Sequence, residues 1–414
     1  MAGKPDLLAH FAQAMARLAP ESRPARLGVA VSGGSDSMAL MALALRWGGA
    51  KLQVATVDHG LRPEAGAEAQ TVAKAAAQLG LPHITLRWQG WEGRGNLQDA
   101  ARQARRQLLA DWARSEGLDG VLLGHTRDDQ AETVLMRLAR GSGVDGLAGM
   151  PARFGTQGLH WFRPLLEMTR TDLRDWLSAQ GLHWADDPSN ENPDFDRVKA
   201  RQLRAQLAPL GLSDTRLVET AARMAEARQV LELAADAAQA RLRQNQHGDI
   251  LLDATGFDAL PEDTRHRLFA RGLCEISSAP YRPRMKALRA ALVAPRATLH
   301  GCLITRSADS VRITREAQAV AGRRVQLGQI WDKRWQITAP PHTLAQGLNQ
   351  GFHIAALGEA GLALCPDRAG WLLPRQSLLA SPAIWNESEL VAAPLAGLGP
   401  DWHASLCQTD TEAG

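Results

Sequence analysis

Val29-Ala30-Val31-Ser32-Gly33-Gly34-Ser35-Asp36-Ser37-Met38 is the stretch on which the reading of this chain turns. A short apolar run, residues 26–31 (RLGVAV), stops abruptly at two glycines, and residues 37–47, rich in Ala, Leu and Met, carry on as a helix. Glycines let the backbone turn tightly and bare its N–H groups. Ser35, Asp36 and Ser37 stand where the helix begins and supply capping hydroxyls and first-turn donors. A helix start of this kind, with unpaired N–H groups and the positive end of the dipole, is a ready anion site. Taken alone, the same residues also read as an ordinary glycine turn with an N-cap. The stretch has neither the lysine of a G-x-x-x-x-G-K-[ST] loop nor the spacing of G-x-G-x-x-G, so neither of those nucleotide fingerprints is implied.

Working outward, strand-like and helix-like segments alternate. Residues 52–57 (LQVATV), 83–86 and 120–123 read as strands, and residues 66–79, 97–115 and 127–140 as helices. That alternation predicts a parallel sheet covered on both faces. After Ala208-Pro209-Leu210-Gly211 the rhythm changes to one long Ala-rich helix over residues 215–243. Two alternating runs within residues 298–314 flank Ser307-Ala308-Asp309-Ser310, which predicts a hairpin. The last segment shows short strands without a clear period. The expectation is a catalytic domain over residues 1–208, a helical domain with a β-hairpin over 209–320, and a small C-terminal domain over 321–414.

The chain has 414 residues, 45% hydrophobic and 22% charged, which are ordinary globular values and exclude a collagenous or disordered polymer. No apolar run approaches the ~18 residues of a membrane span. Leu7, Leu8, Phe11, Met15 and Leu18, interrupted by His10, Gln13 and Arg17, read as an amphipathic helix and not as a secretory leader. Cys274, Cys302, Cys365 and Cys407 lack metal-ligand spacing, so the expected setting is a reducing cytoplasm. Lys plus Arg is 47 against 44 for Asp plus Glu, a formal charge of +3 that does not announce a nucleic-acid binder. The distribution is more telling: Arg282, Arg284, Lys286, Arg289 and Arg296 follow one another with no acid between them, and Arg197, Lys199, Arg201 and Arg204 face only Asp196. These runs are either solvated helix faces or local phosphate-contacting patches.

A carboxylate at Asp36, beside a phosphate-binding turn, would repel the ligand unless a cation stood between them. That implies Mg²⁺ shared between carboxylates and phosphate oxygens. Further acids belong at neighbouring strand ends, because ligands of open α/β sheets bind outside the carboxyl ends of the strands. Asp58 and His59 close the second strand. After the fourth comes Gly124-His125-Thr126-Arg127-Asp128-Asp129-Gln130-Ala131-Glu132-Thr133. Read as helix, His125, Asp129, Glu132 and Thr133 share one face, with Ala131, Val134, Leu135 and Leu138 on the buried side. A softer cluster, Trp184-Ala185-Asp186-Asp187-Pro188-Ser189-Asn190, precedes a helix in which Arg197, Arg201 and Arg204 share a face.

Together these segments resemble the tRNA(Ile)-lysidine synthetase family, within the N-type ATP pyrophosphatases. In family order they are SGGSDS (residues 32–37), VDHGLR (57–62), ARQAR (101–105), GHTRDDQAETVLMRLARGSG (124–143), RPLL (163–166) and WADDPSN (184–190). The resemblance is strong over about residues 25–205. Val198 after Arg197, and Thr126 with Arg127, depart from the usual pattern. The resemblance implies ATP-dependent ligation of L-lysine to C2 of the wobble cytidine of the CAU-anticodon isoleucine tRNA. The α/β pyrophosphatase domain would bind ATP through Ser32, Gly33, Gly34, Ser35, Asp36 and Ser37, with Mg²⁺ between Asp36 and Asp129. His125 would stabilise charge near the reacting centre, and Glu132 would hold the lysine cation. Asp58 and His59 would border the crevice. Arg102, Arg105, Arg197, Arg201, Arg282, Arg284, Lys286 and Arg289 would contact tRNA. The sequence leaves open whether the enzyme is a homodimer. The absence of cysteine before Cys274 speaks against a thiolating relative, and nothing has the length of a glutaminase domain.

Overall fold

A computed structural model describes residues 6–20, 24–60, 65–89, 91, 97–156, 158–185, 196–341, 351–366 and 368–407. The chain forms two compact units, residues 1–228 and 229–410.

The first unit is built on a six-stranded sheet of order β3-β2-β1-β4-β6-β5. Its strands are β1 (Arg26–Ala30), β2 (Lys51–Asp58), β3 (His83–Arg87), β4 (Gly120–Leu123), β5 (Arg153–Thr156) and β6 (Leu159–Phe162). The first four and β6 run parallel, and β5 pairs antiparallel with β6. The first four strands fall where the apolar runs predicted, while the β5–β6 hairpin, including the parallel β6, carried no recognised signal. Buried from Leu27 to Ala30, β1 presents alternate residues to two cores. Leu27 and Val29 pack with Met38, Leu40 and Phe162, and Ala30 packs with Leu109, Trp112 and Trp161. Burial on both faces is why β1 reads as a continuous apolar run.

The helices of this unit are α1 (Leu7–Leu18), α2 (Ser35–Trp47), α3 (Ala65–Gln78), α4 (Leu97–Ser115), α5 (Arg127–Ala139), α6 (Val144–Leu147), α7 (Arg170–Ala179) and α8 (Asp196–Leu207). Helix α9 (Asp214–Leu242) follows, and the division between the units falls inside it. As its apolar spacing requires, α1 buries Leu7, Phe11, Met15 and Leu18, and the Asp6 carboxylate caps it by accepting the Leu8 and Ala9 N–H groups.

The strand order reverses between β1 and β4: β2 and β3 lie to one side of β1, and β4 and β6 to the other. In an open α/β sheet that reversal opens a crevice at the carboxyl ends of the two strands. The turn after β1 and the segment after β4 therefore flank the crevice.

The second unit holds an antiparallel sheet, β7 (Arg243–Gln246), β8 (Asp249–Asp253), β9 (Arg296–Leu299), β10 (Cys302–Arg306) and β11 (Ser310–Arg315), in order β7-β8-β11-β10-β9. The predicted hairpin is real, but its first run is two strands. His300 and Gly301, both at positive φ, turn the chain between β9 and β10. Helices α10 (Ala254–Asp258), α11 (Glu262–Ser277) and α12 (Met285–Val293) complete this part, with Phe257, Phe269 and Leu273 against Ile250 and Ile313. The C-terminal segment forms a four-stranded antiparallel sheet and a two-stranded one around Trp331, Ile354, Leu378 and Ile384. Among the described residues no helix is long and apolar enough to cross a membrane.

Candidate active site

Two glycines set the crevice. Gly33 turns the chain off β1 at φ +94°, a conformation that L side chains rarely adopt. Gly124 ends β4 so close to the start of α2 that a Cβ there would sit 3.1 Å from the Ser37 Cα and 3.2 Å from the Asp36 carbonyl oxygen. A side chain at 124 would have to push the first turn of α2 back by a few tenths of an ångström. Ser37 locks the turn: its Oγ donates to the Gly34 carbonyl at 3.0 Å and accepts the Ser32 N–H at 3.1 Å. Gly34 is the N-cap of α2 and brings no side chain to it, and no side chain among the described residues caps the first N–H groups of the helix.

Across the crevice, α5 begins at Arg127, with Thr126 as N-cap. The Thr126 N–H donates to Asp129 Oδ2 at 2.8 Å and its hydroxyl to the same oxygen at 3.1 Å, while the Asp129 N–H points back to the hydroxyl at 3.4 Å. This capping box contributes about 1 kcal/mol. It also corrects the predicted helical face: His125 precedes the helix instead of sitting one turn below Asp129. Leu138, expected in the buried stripe, is 56% exposed, whereas Ala131, Val134 and Leu135 are buried as expected. The acids are no solvent ridge either, since Asp129 is buried and Glu132 is fully so.

Arginines draw these acids together. Arg170 donates from Nε to Asp36 Oδ2 at 2.9 Å and from its terminal nitrogen to Asp129 Oδ1 at 3.2 Å, and its backbone N–H reaches Asp128 at 2.8 Å. Arg197 bridges Asp129 at 3.2 Å and Glu132 at 3.0 Å. Arg201 meets Glu132 at 3.0 Å, and Arg204 meets Asp128 at 2.9 Å and Glu132 at 3.4 Å. Arg174 donates to Ser35 Oγ at 3.2 Å. Thus Asp36, Asp129 and Glu132 form one network, in which Arg197 and Arg201 serve as acid partners.

The charge states differ across this network. Burial pushes the Asp36 carboxyl above its ordinary value, outweighing Arg170, and Asp129 adds to the rise. Burial would raise Asp129 as well, but the guanidinium groups of Arg197 and Arg170 hold it below the usual carboxylate range. Asp128 is likewise held low, by the Arg170 N–H and by Arg204, against its burial. His125, buried and beside Arg163, is pushed down to about 3.

The second-strand pair sits apart from this network. Asp58 accepts the Gly60 N–H at 2.9 Å within its own turn, and the His59 ring lies edge-on to Trp88 with centroids 6.0 Å apart. Burial and then Arg105 lower the His59 pKa. Arg105 is itself lowered by burial and by Arg102, with no acid partner among the described residues. Asp186, Asp187, Pro188, Ser189 and Asn190, like Leu61 and Arg62, lie outside the described residues.

In the second unit, Arg282 pairs with Glu232 at 3.1 Å and Arg289 with Glu262 at 3.0 Å. Arg284 and Lys286 are exposed at the start of α12.

Arg170 and Arg174 went unread in the sequence, Arg163 entered only within the RPLL segment, and Arg204 only as part of a basic helix face. A signal for Arg170 was available: it is the first residue of α7, after the Thr169 N-cap, where a cation opposes the helix dipole.

The PP-loop domain family matches residues 7–210. A tRNA(Ile)-lysidine synthase from Ruegeria pomeroyi is 49% identical over 92% of this chain and 91% of its own length. Another from Bradyrhizobium sp. is 43% identical over 64% of this chain and 78% of its own. Among solved structures, the U34-tRNA thiolase NcsA from Methanococcus maripaludis, with its [4Fe-4S] cluster, aligns with 53% of this chain and 80% of its own at 16% identity and a TM-score of 0.45. The glycine turn, the crevice at the strand reversal and the near-full-length likeness agree, and the chain belongs to the tRNA(Ile)-lysidine synthase family.

Proposed function

We propose that this chain ligates L-lysine to C2 of the wobble cytidine of the CAU-anticodon isoleucine tRNA, with ATP giving AMP and pyrophosphate. The observation that carries this reading is the meeting of Asp36 and Asp129 at one guanidinium beside the glycine turn, in a chain whose relatives are tRNA(Ile)-lysidine synthases.

The C2 oxygen of cytosine is a poor leaving group. Transfer of AMP onto it, with pyrophosphate departing, turns it into a good one. The lysine ε-amine then adds at C2, the C2–O bond breaks, and AMP leaves with that oxygen while the nitrogen gives up a proton. Residues 32–37 offer backbone N–H groups and the positive end of α2 to the phosphates. The donor set fits Mg²⁺, which takes one or two carboxylates together with phosphate oxygens, and the Asp36 and Asp129 carboxylates meet here at one guanidinium. Asp36 and Asp129 would hold it, and bound there it would supply positive charge against the phosphates. Arg170 holds both carboxylates, so it would have to yield one or both to a metal held there.

Glu132 would hold the lysine ε-ammonium, which takes the place of one of its guanidinium partners. Arg197 and Arg201, more than a third exposed, would be released toward RNA phosphates. Arg102 and Arg105 supply further backbone contacts. Arg282, Arg284, Lys286 and Arg289 form a separate phosphate-contacting patch on the second unit.

Sulfur transfer to a tRNA base is the competing chemistry, and it needs reactive thiolates or a cluster. Residues 1–273 contain no cysteine, and burial pushes the Cys274 thiol up and that of Cys302 up to about 12. The test is incubation of the purified protein with ATP, Mg²⁺, bulk tRNA and labelled lysine. Label should enter tRNA only with ATP present; label-free tRNA alongside ATP consumption would overturn the reading.

A further inference from the structure

We propose that Arg163 is a positioning residue that fixes His125 in the Nε2–H tautomer, so that this imidazole serves the reaction as a neutral N–H donor and not as a proton carrier. The inference deepens the ligase reading above and rests on it for the identity of the reaction.

The placement follows from the sheet. Strands β4 and β6 are parallel neighbours with Leu122 opposite Phe162, so the residues just beyond their carboxyl ends emerge side by side at the crevice. His125 follows β4 and Arg163 follows β6. Arg163 Nε donates to His125 Nδ1 at 3.2 Å. A guanidinium has five N–H donors and no acceptor. The nitrogen that faces it must therefore offer a lone pair, and a neutral ring then carries its proton on Nε2.

Arg163 is held rigidly enough to impose this choice. Its terminal nitrogen donates to the Pro151 carbonyl at 2.6 Å, its backbone N–H to the Ala152 carbonyl at 2.8 Å, and its guanidinium lies 4.2 Å over the Phe154 ring. Burial lowers its pKa only to about 10, so it remains a cation at neutral pH. Every element around His125 bears on its charge. Burial, Arg163 beyond β6, Arg197 on α8 and Arg105 on α4 oppose the imidazolium, and Asp129 on α5 favours it. The neutral ring is the outcome.

This arrangement gives His125 a defined task. A neutral N–H donor can stabilise negative charge as it develops without first having to be protonated. A proton carrier would instead need a pKa near the working pH.

The full chain labelled with ¹⁵N-histidine tests this, with the His125 signals assigned by their loss in His125→Gln. The expected spectrum has His125 Nδ1 unprotonated and Nε2 protonated from pH 5 to pH 9, with no titration. In Arg163→Gln a tautomer mixture should appear and the His125 pKa should rise. In single-turnover lysidine formation, His125→Ala should lose about 10²–10³-fold. His125→Gln, whose side-chain amide N–H stands near the Nε2 position and cannot act as an acid, should recover at least about tenfold of that loss. Arg163→Gln should lower kcat more than it changes KM for ATP. A wild-type His125 that titrates between pH 5 and pH 8, or that carries its proton on Nδ1, overturns the proposal. So does a His125→Gln no better than alanine. The spectrum needs no substrate, so a protein that makes no lysidine yet shows the expected tautomer would sink the ligase reading and leave the tautomer assignment standing.

Discussion

Both units pair arginine with carboxylate, but to opposite ends. In the second unit Glu232, Asp332 and Asp249 each have arginine partners. Glu232 takes Arg267, Arg271 and Arg282. Asp332 takes Arg315 at 2.8 Å and Arg323 at 3.2 Å, and Asp249 takes Arg312 and the Ser377 hydroxyl, each at 2.6 Å. Although burial works against it, Glu232 is held down to about 2 by Arg271 and Arg282. In the first unit Asp36 and Asp129 share one guanidinium, and burial still leaves the Asp36 carboxyl raised. Asp129 is also met by Arg197 and Glu132 by three guanidinium groups, so the contrast between the units rests on Asp36. Where burial exceeds pairing, an acid remains short of positive charge, and a cation or a reaction can supply it.

The comparison can be broken most severely at the two acids that share Arg170. Asp36→Asn and Asp129→Asn should each lower tRNA-dependent pyrophosphate release by about 10²–10³-fold or more, with the far-ultraviolet circular dichroism unchanged. Near-normal turnover in either variant would show that the crevice is a structural network like that of Glu232. Glu132 comes next. It has no exposed side-chain surface and meets Arg197, Arg201 and Arg204. Removing one partner of such a buried set costs about 3–5 kcal/mol, so Glu132→Gln should lower Tm as well as raise KM for lysine. A variant with altered Tm and an unchanged lysine KM would make Glu132 purely structural.

Smaller effects are expected on the second unit. Reversing Arg284 and Lys286 to Glu should weaken tRNA binding at every salt concentration and reduce the slope of log K against log salt by about 1 per lost phosphate contact. Unchanged titrations would return that run to the status of a solvated helix face. The mildest test is acid stability. Because Glu232 is depressed in the folded state, its contribution is complete above the unfolded carboxylate value and is lost as pH falls toward 2. Glu232→Gln should therefore flatten the fall of Tm between about pH 5 and pH 2, while a limb as steep as wild type would contradict this assignment.

Much of the first unit could be read from the chain because its constraints are local. A glycine at φ +94°, strands buried on both faces and a helix opened by Ser35 each leave a mark within a few residues. The partners of the acids leave no such mark. Asp36 meets Arg170 across 134 positions and Glu132 meets Arg201 across 69, and helical periodicity says which residues share a face but not what packs on it. The same limit explains two misreadings. Thr126 makes the cap, which puts His125 outside the helix, and Leu138 continues an apolar rhythm onto a surface that nothing covers among the described residues. Arg282 and Arg289 read as unopposed cations because Glu232 and Glu262 lie outside their own run.

The central claim is that the crevice between β1 and β4 directs AMP onto the oxygen of an RNA base. Isoleucine tRNA carrying ¹⁸O at C2 of the wobble cytidine tests it directly, by mass spectrometry of the released AMP. The account predicts one ¹⁸O atom in the phosphate of AMP for each lysine incorporated. AMP free of ¹⁸O while lysine enters the tRNA would contradict it, because activation would then have occurred on some other oxygen.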